Sequence, residues 1–344
     1  MLEVLSSLTP GIVIVLILVL IAEAANGWSD APVGTSSAVA SGALKSRQAL
    51  ILTAFGNLAG LLVALFIGSK VAKTIGTGIV QPEFITIAAI GVAMVTSILW
   101  SFSALWLGVP ISKTHSLLAA LAGIGWAAGG LEALMPASGN WADSGWIAVF
   151  KGVFIALLLA GALSWILTKV LIRFKLDHRI TQETWRHIQV GTVCLVAVGH
   201  GLNDGLKYVG IFTLVLFTGG IITTFTVSPV TIIACAVVMA IGTLLGGYRI
   251  HRRLDGLVNG AEEIRTFSPF MGVTAELVAG LAIWQTGFLG IPMSTNHSVV
   301  SAMAGAKSAR GKICQESMMK IIWGWIVTYF FCFTFAWFFA SLFL

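Results

Sequence analysis

Seven long apolar runs constrain this chain more than any other feature of its sequence. Alone or with their neighbours they are long enough to cross the roughly 30 Å hydrocarbon core of a bilayer, and they occupy residues 11–22, 49–67, 84–107, 146–168, 187–198, 228–247 and 321–344. Only 10% of the 344 residues are charged, whereas a soluble domain averages about 25%. The runs lack the polar and apolar alternation of membrane β-strands. We therefore predict an all-α polytopic membrane protein surrounded by lipid.

The charged residues give a predicted orientation in the cell membrane. The formal net charge is +6, but it does not indicate nucleic-acid binding, because Lys and Arg cluster in loops as the positive-inside rule expects. We place the most basic segments in the cytoplasm, and these are 169–179, 248–256 and 307–312. The acidic loop 129–146 then lies outside, and counting crossings places both termini outside. Lys70 and Lys73 disagree with this scheme, because they fall in a loop that it puts outside.

Two polar stretches repeat each other at the ends of apolar runs. GVPISKTHS occupies 108–116 and GIPMSTNHS occupies 290–298, and eight of sixteen positions match when 108–123 is aligned with 290–305. A second pair lies upstream, where NGWSDAPVG contains Asp30 and GHGLNDGLKYVG contains Asp204. Repeated halves with interrupted helices are typical of secondary transporters.

The repeat predicts the organisation of the chain. We expect a first transmembrane repeat over 1–168, a basic cytoplasmic linker over 169–186 and a second transmembrane repeat over 187–344. The two repeats are predicted to be inverted relative to each other. Each should contain discontinuous helices and a re-entrant helical hairpin, with the polar stretches 108–116 and 290–298 at the hairpin tips.

The two tips predict an anion site. Gly and Pro break the helix at each tip, and Ser112 and Ser294 are suitable N-caps for the helices that follow. A helix start exposes free N–H groups and a partial positive charge, so two facing starts would hold an oxyanion. The candidate donors are Ser112, Lys113, Thr114, Ser294, Thr295 and Asn296, with Asp30 and Asp204 nearby. The alternative is that Ser and Thr serve only as helix caps.

Lys113 interrupts the first tip and leaves three interpretations open. Its ammonium group could touch the oxyanion, could replace a coupling cation, or could extend away toward water and do neither. Only the first tip carries such a lysine, because Thr295 stands at the equivalent place in the second.

Acidic and amide residues inside apolar runs predict the coupling-ion site. A carboxylate at the bilayer centre costs at least about 2.5–3.5 kcal/mol and is normally functional. The candidates offer oxygen ligands for Na⁺ or groups that can carry a proton, and they are Asn26, Asp30, Asn57, Asn203, Asp204 and Glu276. Asn57 and Glu276 are interpreted as counterparts in the two halves. The alternative for both is a hydrogen bond between helices without a transport role.

Histidine and cysteine do not indicate a metal centre. His115 and His297 have no clustered Cys or carboxylate at zinc-ligand spacing, so each is expected to tether its tip by a hydrogen bond or to line the cavity. The four cysteines are scattered and contain no CxxC pair. We expect no cofactor and no metal beyond a Na⁺ ion.

Taken together, these motifs resemble the inorganic phosphate transporter (PiT) family, and its bacterial members in particular. NGWSDAPVG and GHGLNDGLKYVG are similar to its two signature regions, and GVPISKTH and GIPMSTNH to its paired P-V-S-T-T-H tips. The resemblance implies phosphate held between the tips and coupling to Na⁺ or H⁺. The residues that match family positions are Asp30, Ser112, Thr114, His115, Asn203, Asp204, Glu276, Ser294, Thr295 and His297.

Departures from the family pattern fall mostly on the expected cation side of the first half. Ser29 stands where Asn or His is usual, and Pro32-Val33 replaces Ala-Asn. Lys113 and Asn296 each replace one Thr of a tip. These departures leave the choice between Na⁺ and H⁺ open.

The sequence therefore predicts a secondary active transporter of inorganic phosphate that works by alternating access. Another tetrahedral oxyanion, sulfate first, is the alternative, and Lys113 and Asn296 would add donors for it. An intramembrane enzyme is disfavoured, because the polar residues come in matched pairs instead of distinct catalytic roles. A channel is disfavoured, because rings of like charge and a filter repeat are absent from the sequence. A homodimer is left open as the assembly.

Overall fold

The computed structural model describes residues 8–107, 111–136, 138–259 and 267–343, and all regular structure within them is helical. The helices of the first predicted half are α1 Pro10–Ser29, α2 Ala31–Gly34, α3 Ser36–Ala40, α4 Ser46–Ile67, α5 Lys70–Thr77, α6 Ile87–Leu107, α7 Lys113–Leu134, α8 Gly145–Phe154 and α9 Ala160–Arg173. After α10 Leu176–Arg179 follow α11 Gln182–His200, α12 Leu206–Thr218, α13 Pro229–Leu245, α14 Tyr248–Asn259, α15 Pro269–Leu289, α16 Thr295–Ser308 and α17 Gln315–Ala340. The all-α prediction is confirmed.

Seven helical stretches in the described residues are long and apolar enough to cross a membrane, and an eighth is added if α13 and α14, bent by 68°, form one span. This protein is therefore an integral membrane protein. The predicted run 187–198 is not among the seven. It lies in α11, which continues through a π-helical turn over Gly201–Gly205 into α12, and residues at the start of α11 such as Glu183, Arg186 and Gln189 make this helix less apolar.

Helix packing comes in matched sets that agree with a twofold repeat. Helix α1 packs on α6 as α11 packs on α15, and α1 contacts α13 as α11 contacts α4. The last long helix of each half packs against the opposite half, α17 on α7 and α9 on α16. Most of the large helix interfaces therefore join one half to the other. The inverted sense of the repeat and the re-entrant course of the hairpins stay predictions.

The predicted linker 169–186 is largely helical in the structure. It contains the end of α9, all of α10 and the start of α11. The Asp177 carboxylate in α10 is buried and lies 3.2 Å from the guanidinium of Arg310, which follows α16. The linker is thus fastened to the end of the second tip helix.

Close backbone contacts fix the crossings between the halves. A Cβ atom at Gly60 of α4 would lie 2.0 Å from the Val198 carbonyl oxygen of α11. At the equivalent crossing, a Cβ atom at Gly242 of α13 would lie 2.1 Å from the Ala24 carbonyl oxygen of α1. Only glycine permits this approach, so both crossings depend on it.

The second tip has the predicted break. Helix α15 ends before Gly290, whose φ of 76° lies in the left-handed region that glycine tolerates. Residues 291–294 are non-helical, and α16 then starts after its N-cap Ser294. In the first tip, residues 108–110 lie outside the described residues, and α7 starts after its N-cap Ser112. Both predicted N-caps are confirmed.

We predict that Gly60→Ala destabilises the protein. The added methyl group must push α4 away from α11, which costs about 1–3 kcal/mol as overpacking and exceeds the gain of up to about 1 kcal/mol from helix propensity. The melting temperature of the purified protein in detergent should fall. The matched control is Gly191→Ala in α11, where a Cβ atom meets nothing within 4 Å. Equal melting temperatures for the two variants would contradict the prediction.

Candidate functional site

The two tips meet at their helix starts. The Ser112 hydroxyl lies 2.8 Å from the Ser294 hydroxyl, and both side chains are buried. Each hydroxyl also caps its own helix, accepting from the His115 N–H at 3.2 Å and from the His297 N–H at 3.3 Å. The N-termini of α7 and α16 therefore converge on one buried point.

Asp204 connects both tips. Its carboxylate accepts a hydrogen bond from the Thr114 hydroxyl at 3.2 Å and another from the Thr295 hydroxyl. The residue belongs to the π-helical turn Gly201–Gly205, a type of helix distortion that is frequent at functional sites. One buried carboxylate thus receives a donor from each half of the protein.

Lys207 completes this cluster, and the sequence analysis did not single it out. Its ammonium group pairs with the Asp204 carboxylate, donates to the Thr114 hydroxyl at 2.5 Å and donates to the Met293 carbonyl oxygen at 2.7 Å. The side chain is 1% exposed. The available signal was a lysine one helical turn after Asp204 within an apolar run, because residues three apart share a helix face and charges there are rarely idle.

Asp30 lies at the start of the first tip helix. Its carboxylate accepts a hydrogen bond of 3.1 Å from the backbone N–H of Lys113, the first residue of α7. A negative charge at this end of a helix is favourable. The helix start that was predicted to bind an anion therefore already receives a carboxylate of the protein.

Lys113 does not reach water. Its side chain is 1% exposed, and its ammonium nitrogen has no hydrogen-bond acceptor among the described residues. The interpretation that it extends away toward the surface is therefore wrong, because the side chain is buried to its end. Contact with an anion and replacement of a cation stay hypotheses for this residue.

Two of the four amide candidates, Asn203 and Asn296, hold the tips in place. Asn203 donates to the Ile291 carbonyl oxygen at 3.2 Å and accepts from the Met293 N–H at 3.1 Å, so it fixes the non-helical part of the second tip. Asn296 donates to the Ile111 carbonyl oxygen of the opposite tip. Both side chains are buried, and both hydrogen-bond to backbone groups that lie outside the helices.

Three buried oxygen atoms of α1 and its C-cap accept no hydrogen bond from the residues that the structure describes. They belong to the side chains of Glu23, Asn26 and Asp30. The Asn26 amide donates to the other Glu23 oxygen at 3.1 Å. Buried carboxylate oxygens are costly without a partner, and oxygen ligands near an interrupted helix suit Na⁺. The first half thus offers atoms that fit a cation or a proton.

Asn57 is linked to Asp204 through a histidine. Its side-chain oxygen lies 2.9 Å from His200 Nδ1, and its amide donates to the Thr243 hydroxyl at 3.0 Å. His200 Nε2 lies 3.5 Å from the Asp204 carboxylate. Asn57 is therefore at the edge of the central cluster and contacts it indirectly.

Glu276 lies in a separate network. Its carboxylate accepts hydrogen bonds from Ser37 at 2.6 Å, Gln189 at 2.8 Å and Thr192 at 2.5 Å. The interpretation of Glu276 as the counterpart of Asn57 is wrong, because Glu276 is on the helix before the second tip and Asn57 is on α4, two helices before α6. Asn57 and Glu276 both lie inside apolar runs at similar places in the two halves of the sequence, which is why the sequence did not reveal this difference in helix order.

The tip histidines stack on each other. The ring centroids of His115 and His297 are 4.1 Å apart, and the rings also contact Tyr329 and Trp325. The prediction that they tether the tips by side-chain hydrogen bonds is wrong, because none of their ring nitrogens has a partner among the described residues. Nor does any group of three His, Cys, Asp or Glu residues within that part of the chain have metal-site geometry.

We predict that Asp204→Asn strongly destabilises the protein. It leaves the buried Lys207 ammonium without its countercharge, and removing one partner of a buried pair costs about 3–5 kcal/mol. The double variant Asp204→Asn/Lys207→Met should be more stable than Asp204→Asn alone, as measured by melting temperature.

The control is an exposed lysine and carboxylate pair on α17. Lys320 lies 2.5 Å from Glu316 with both side chains more than half exposed, so Glu316→Gln should leave the melting temperature nearly unchanged, because solvent screens the pair. If Asp204→Asn and Glu316→Gln lowered the melting temperature by a similar amount, burial of the Asp204 pair would not explain its importance.

Known proteins resemble this chain in sequence and in fold. The sequence profile of the phosphate transporter family matches residues 26–336. A "probable low-affinity inorganic phosphate transporter" of Rhizobium meliloti (strain 1021) is 30% identical over 88% of this chain and 87% of that protein. A protein of the same name from Bacillus subtilis (strain 168) is 29% identical over 92% of each chain.

A solved structure entitled "The sodium-dependent phosphate transporter" shares the fold. It superposes with a TM-score of 0.81 over 97% of this chain and 99% of its own, at 19% sequence identity. The related proteins are transporters, which confirms the choice of a transport protein over an enzyme. The family profile covers both tips and both upstream motifs, and this chain belongs to the phosphate transporter family.

Proposed function

We propose that this protein is a secondary active transporter of inorganic phosphate in the cell membrane, coupled to Na⁺ or H⁺ and working by alternating access. The observation that carries the proposal is the meeting of two helix starts at Ser112 and Ser294, 2.8 Å apart. Family membership and the names of the relatives support phosphate as the substrate. The predicted external position of both termini belongs to the same proposal.

Phosphate would bind by replacing contacts that the tips now make with each other. The Ser112 and Ser294 hydroxyls hydrogen-bond to each other, so an oxyanion between them requires the tips to separate. Each hydroxyl could then donate to a phosphate oxygen, and the free N–H groups of α7 and α16 would add their partial positive charge. Binding would thus exchange a contact between the halves for a shared ligand.

The carboxylates beside the tips favour phosphate over sulfate. Asp30 contacts the start of α7, and Asp204 contacts Thr114 and Thr295. Hydrogen phosphate carries a proton that it can donate to a carboxylate, whereas sulfate carries none at neutral pH. Asn296, which would have favoured sulfate as an additional donor, already donates to Ile111.

The coupling cation or proton is proposed to act on the buried acidic side chains. Within the described part of the chain, one side-chain oxygen each of Glu23, Asn26 and Asp30 accepts no hydrogen bond, and these atoms lie at the end of α1 and at its C-cap. Asp30 also contacts the first tip directly. A charge change at Asp30 would therefore alter the electrostatics of the anion site. Na⁺ bound there would supply a positive charge beside the incoming phosphate.

We predict that purified protein in sealed vesicles accumulates labelled phosphate under an imposed ion gradient, and that Ser294→Ala reduces this uptake about tenfold or more. A hydrogen bond to a charged group contributes about 1.5–3 kcal/mol, and about 1.4 kcal/mol corresponds to tenfold. The matched control is Ser228→Ala, which removes the N-cap of α13 outside the site. Equal uptake by Ser294→Ala and Ser228→Ala would contradict a role of the tip hydroxyl in anion binding.

We further predict that excess sulfate leaves phosphate uptake nearly unchanged, because sulfate next to Asp30 and Asp204 cannot donate a hydrogen bond. Competition is measured as the inhibition of initial labelled-phosphate uptake at rising sulfate concentrations. Chloride at equal ionic strength controls for screening. Inhibition by sulfate as strong as that by unlabelled phosphate would favour the sulfate alternative.

A further inference from the structure

The Lys207 ammonium group occupies a position built from oxygen atoms of three separate segments. A carboxylate oxygen comes from Asp204 in the π-helical turn, a hydroxyl from Thr114 at the start of α7, and a carbonyl oxygen from Met293 in the non-helical second tip. An ammonium group has three donors, so this set uses all of them. Burial at 1% exposure keeps bulk water away.

The same three kinds of atom would suit a sodium ion. In transporters with broken helices, Na⁺ is coordinated by unwound backbone carbonyls and by the C-terminal ends of half-helices. Met293 supplies such a carbonyl, and Asp204 supplies the negative charge. We propose that Lys207 acts as a tethered cation that fills a sodium-type position beside Asp204, so that this position takes no Na⁺ from solution. This inference rests on the proposed transport function and specifies which site the coupling ion does not use.

A tethered cation differs from a bound ion because it cannot be released during transport. The Lys207 side chain is joined to the helix that carries Asp204, three residues away, so its effective concentration at the carboxylate is always high. It also joins the two halves, since Thr114 belongs to the first tip and Met293 to the second. The coupling ion must then act at other buried groups. Asp30 and Glu23 are candidates, because each has a side-chain oxygen without a hydrogen-bond partner among the described residues.

The test is to remove the tethered cation and look for sodium binding. The full chain is purified in detergent, and its melting temperature is compared in NaCl and in choline chloride at equal ionic strength. Lys207→Ala should gain a sodium-dependent rise of about 2–5 °C beyond that of the wild type, because a ligand that binds the folded state stabilises it. Methylammonium, which carries the lost group, should also raise its melting temperature.

Two matched controls separate site occupation from loss of charge. Lys207→Met keeps the side-chain stem in place and should show no added sodium effect, although Asp204 has lost its countercharge in both variants. Lys320→Ala removes a lysine from an exposed pair and should respond as the wild type does. The double variant Lys207→Ala/Asp204→Asn should lose the added effect, because the carboxylate ligand is gone.

Several results would overturn the proposal. One is a sodium-dependent rise in melting temperature that is no larger in Lys207→Ala than in the wild type. Another is an added rise that persists in the double variant Lys207→Ala/Asp204→Asn. If Lys207→Ala does not fold, Lys207→Asn is measured, because its amide oxygen could also bind Na⁺. Failure of both variants to fold in NaCl would count against the site as well. The measurement contains no phosphate, so absence of phosphate uptake by the wild type would defeat the proposed function and leave this result standing.

Discussion

The Asp204 carboxylate joins the two tips and the buried lysine, and the geometry of the centre depends on it. Its two oxygens accept from Thr114 in one half and from Thr295 in the other, and they pair with Lys207. The π-helical turn at Gly201–Gly205 brings it there from the interior of a long helix. Without this acceptor, the direct hydrogen bonds between the tips would be those of Ser112 with Ser294, of Asn296 with Ile111 and of Thr114 with Met293.

Two buried carboxylates in this protein are stabilised in different ways. Asp204 has a lysine and two hydroxyls, whereas Glu276 accepts from Ser37, Gln189 and Thr192, all of them neutral. Burial makes either charge costly unless it is paired or hydrogen-bonded. A cluster with a fixed cation resists a change in its own charge, while a carboxylate surrounded by neutral donors can accept a proton without leaving a lysine unpaired.

Much of the fold could be predicted from the sequence, because bilayer crossing and helix breaking are local properties. Apolar length predicted the helices, and Gly, Pro and Ser at each tip predicted the N-caps Ser112 and Ser294. The paired motifs indicated the family. Contacts between distant segments could not be predicted in this way.

The missed contacts depend on how helices cross. Lys207 is part of the site because Thr114 and Met293 approach it from other segments. Glu276 is separate because α15 packs against α11 at Gln189 and Thr192. The crossing of α15 and α11 depends on close approaches such as that of Gly272 to the Gln189 side chain, and spacing along the sequence does not reveal such approaches.

The packing of helices from each half against the opposite half has a consequence for how the protein is assembled. Helix α4 crosses α11 through Gly60, α1 crosses α13 through Gly242, and α9 and α7 find α16 and α17 only in the second half. When only the first half has been made, the surface around Gly60 on α4 has no α11 to cover it, and α1 has no α13. The carboxyl groups of Glu23 and Asp30, which are buried in the complete fold, then lack the second-half helices that pack around α1. Neither half can therefore complete the buried centre alone, because its walls come from both.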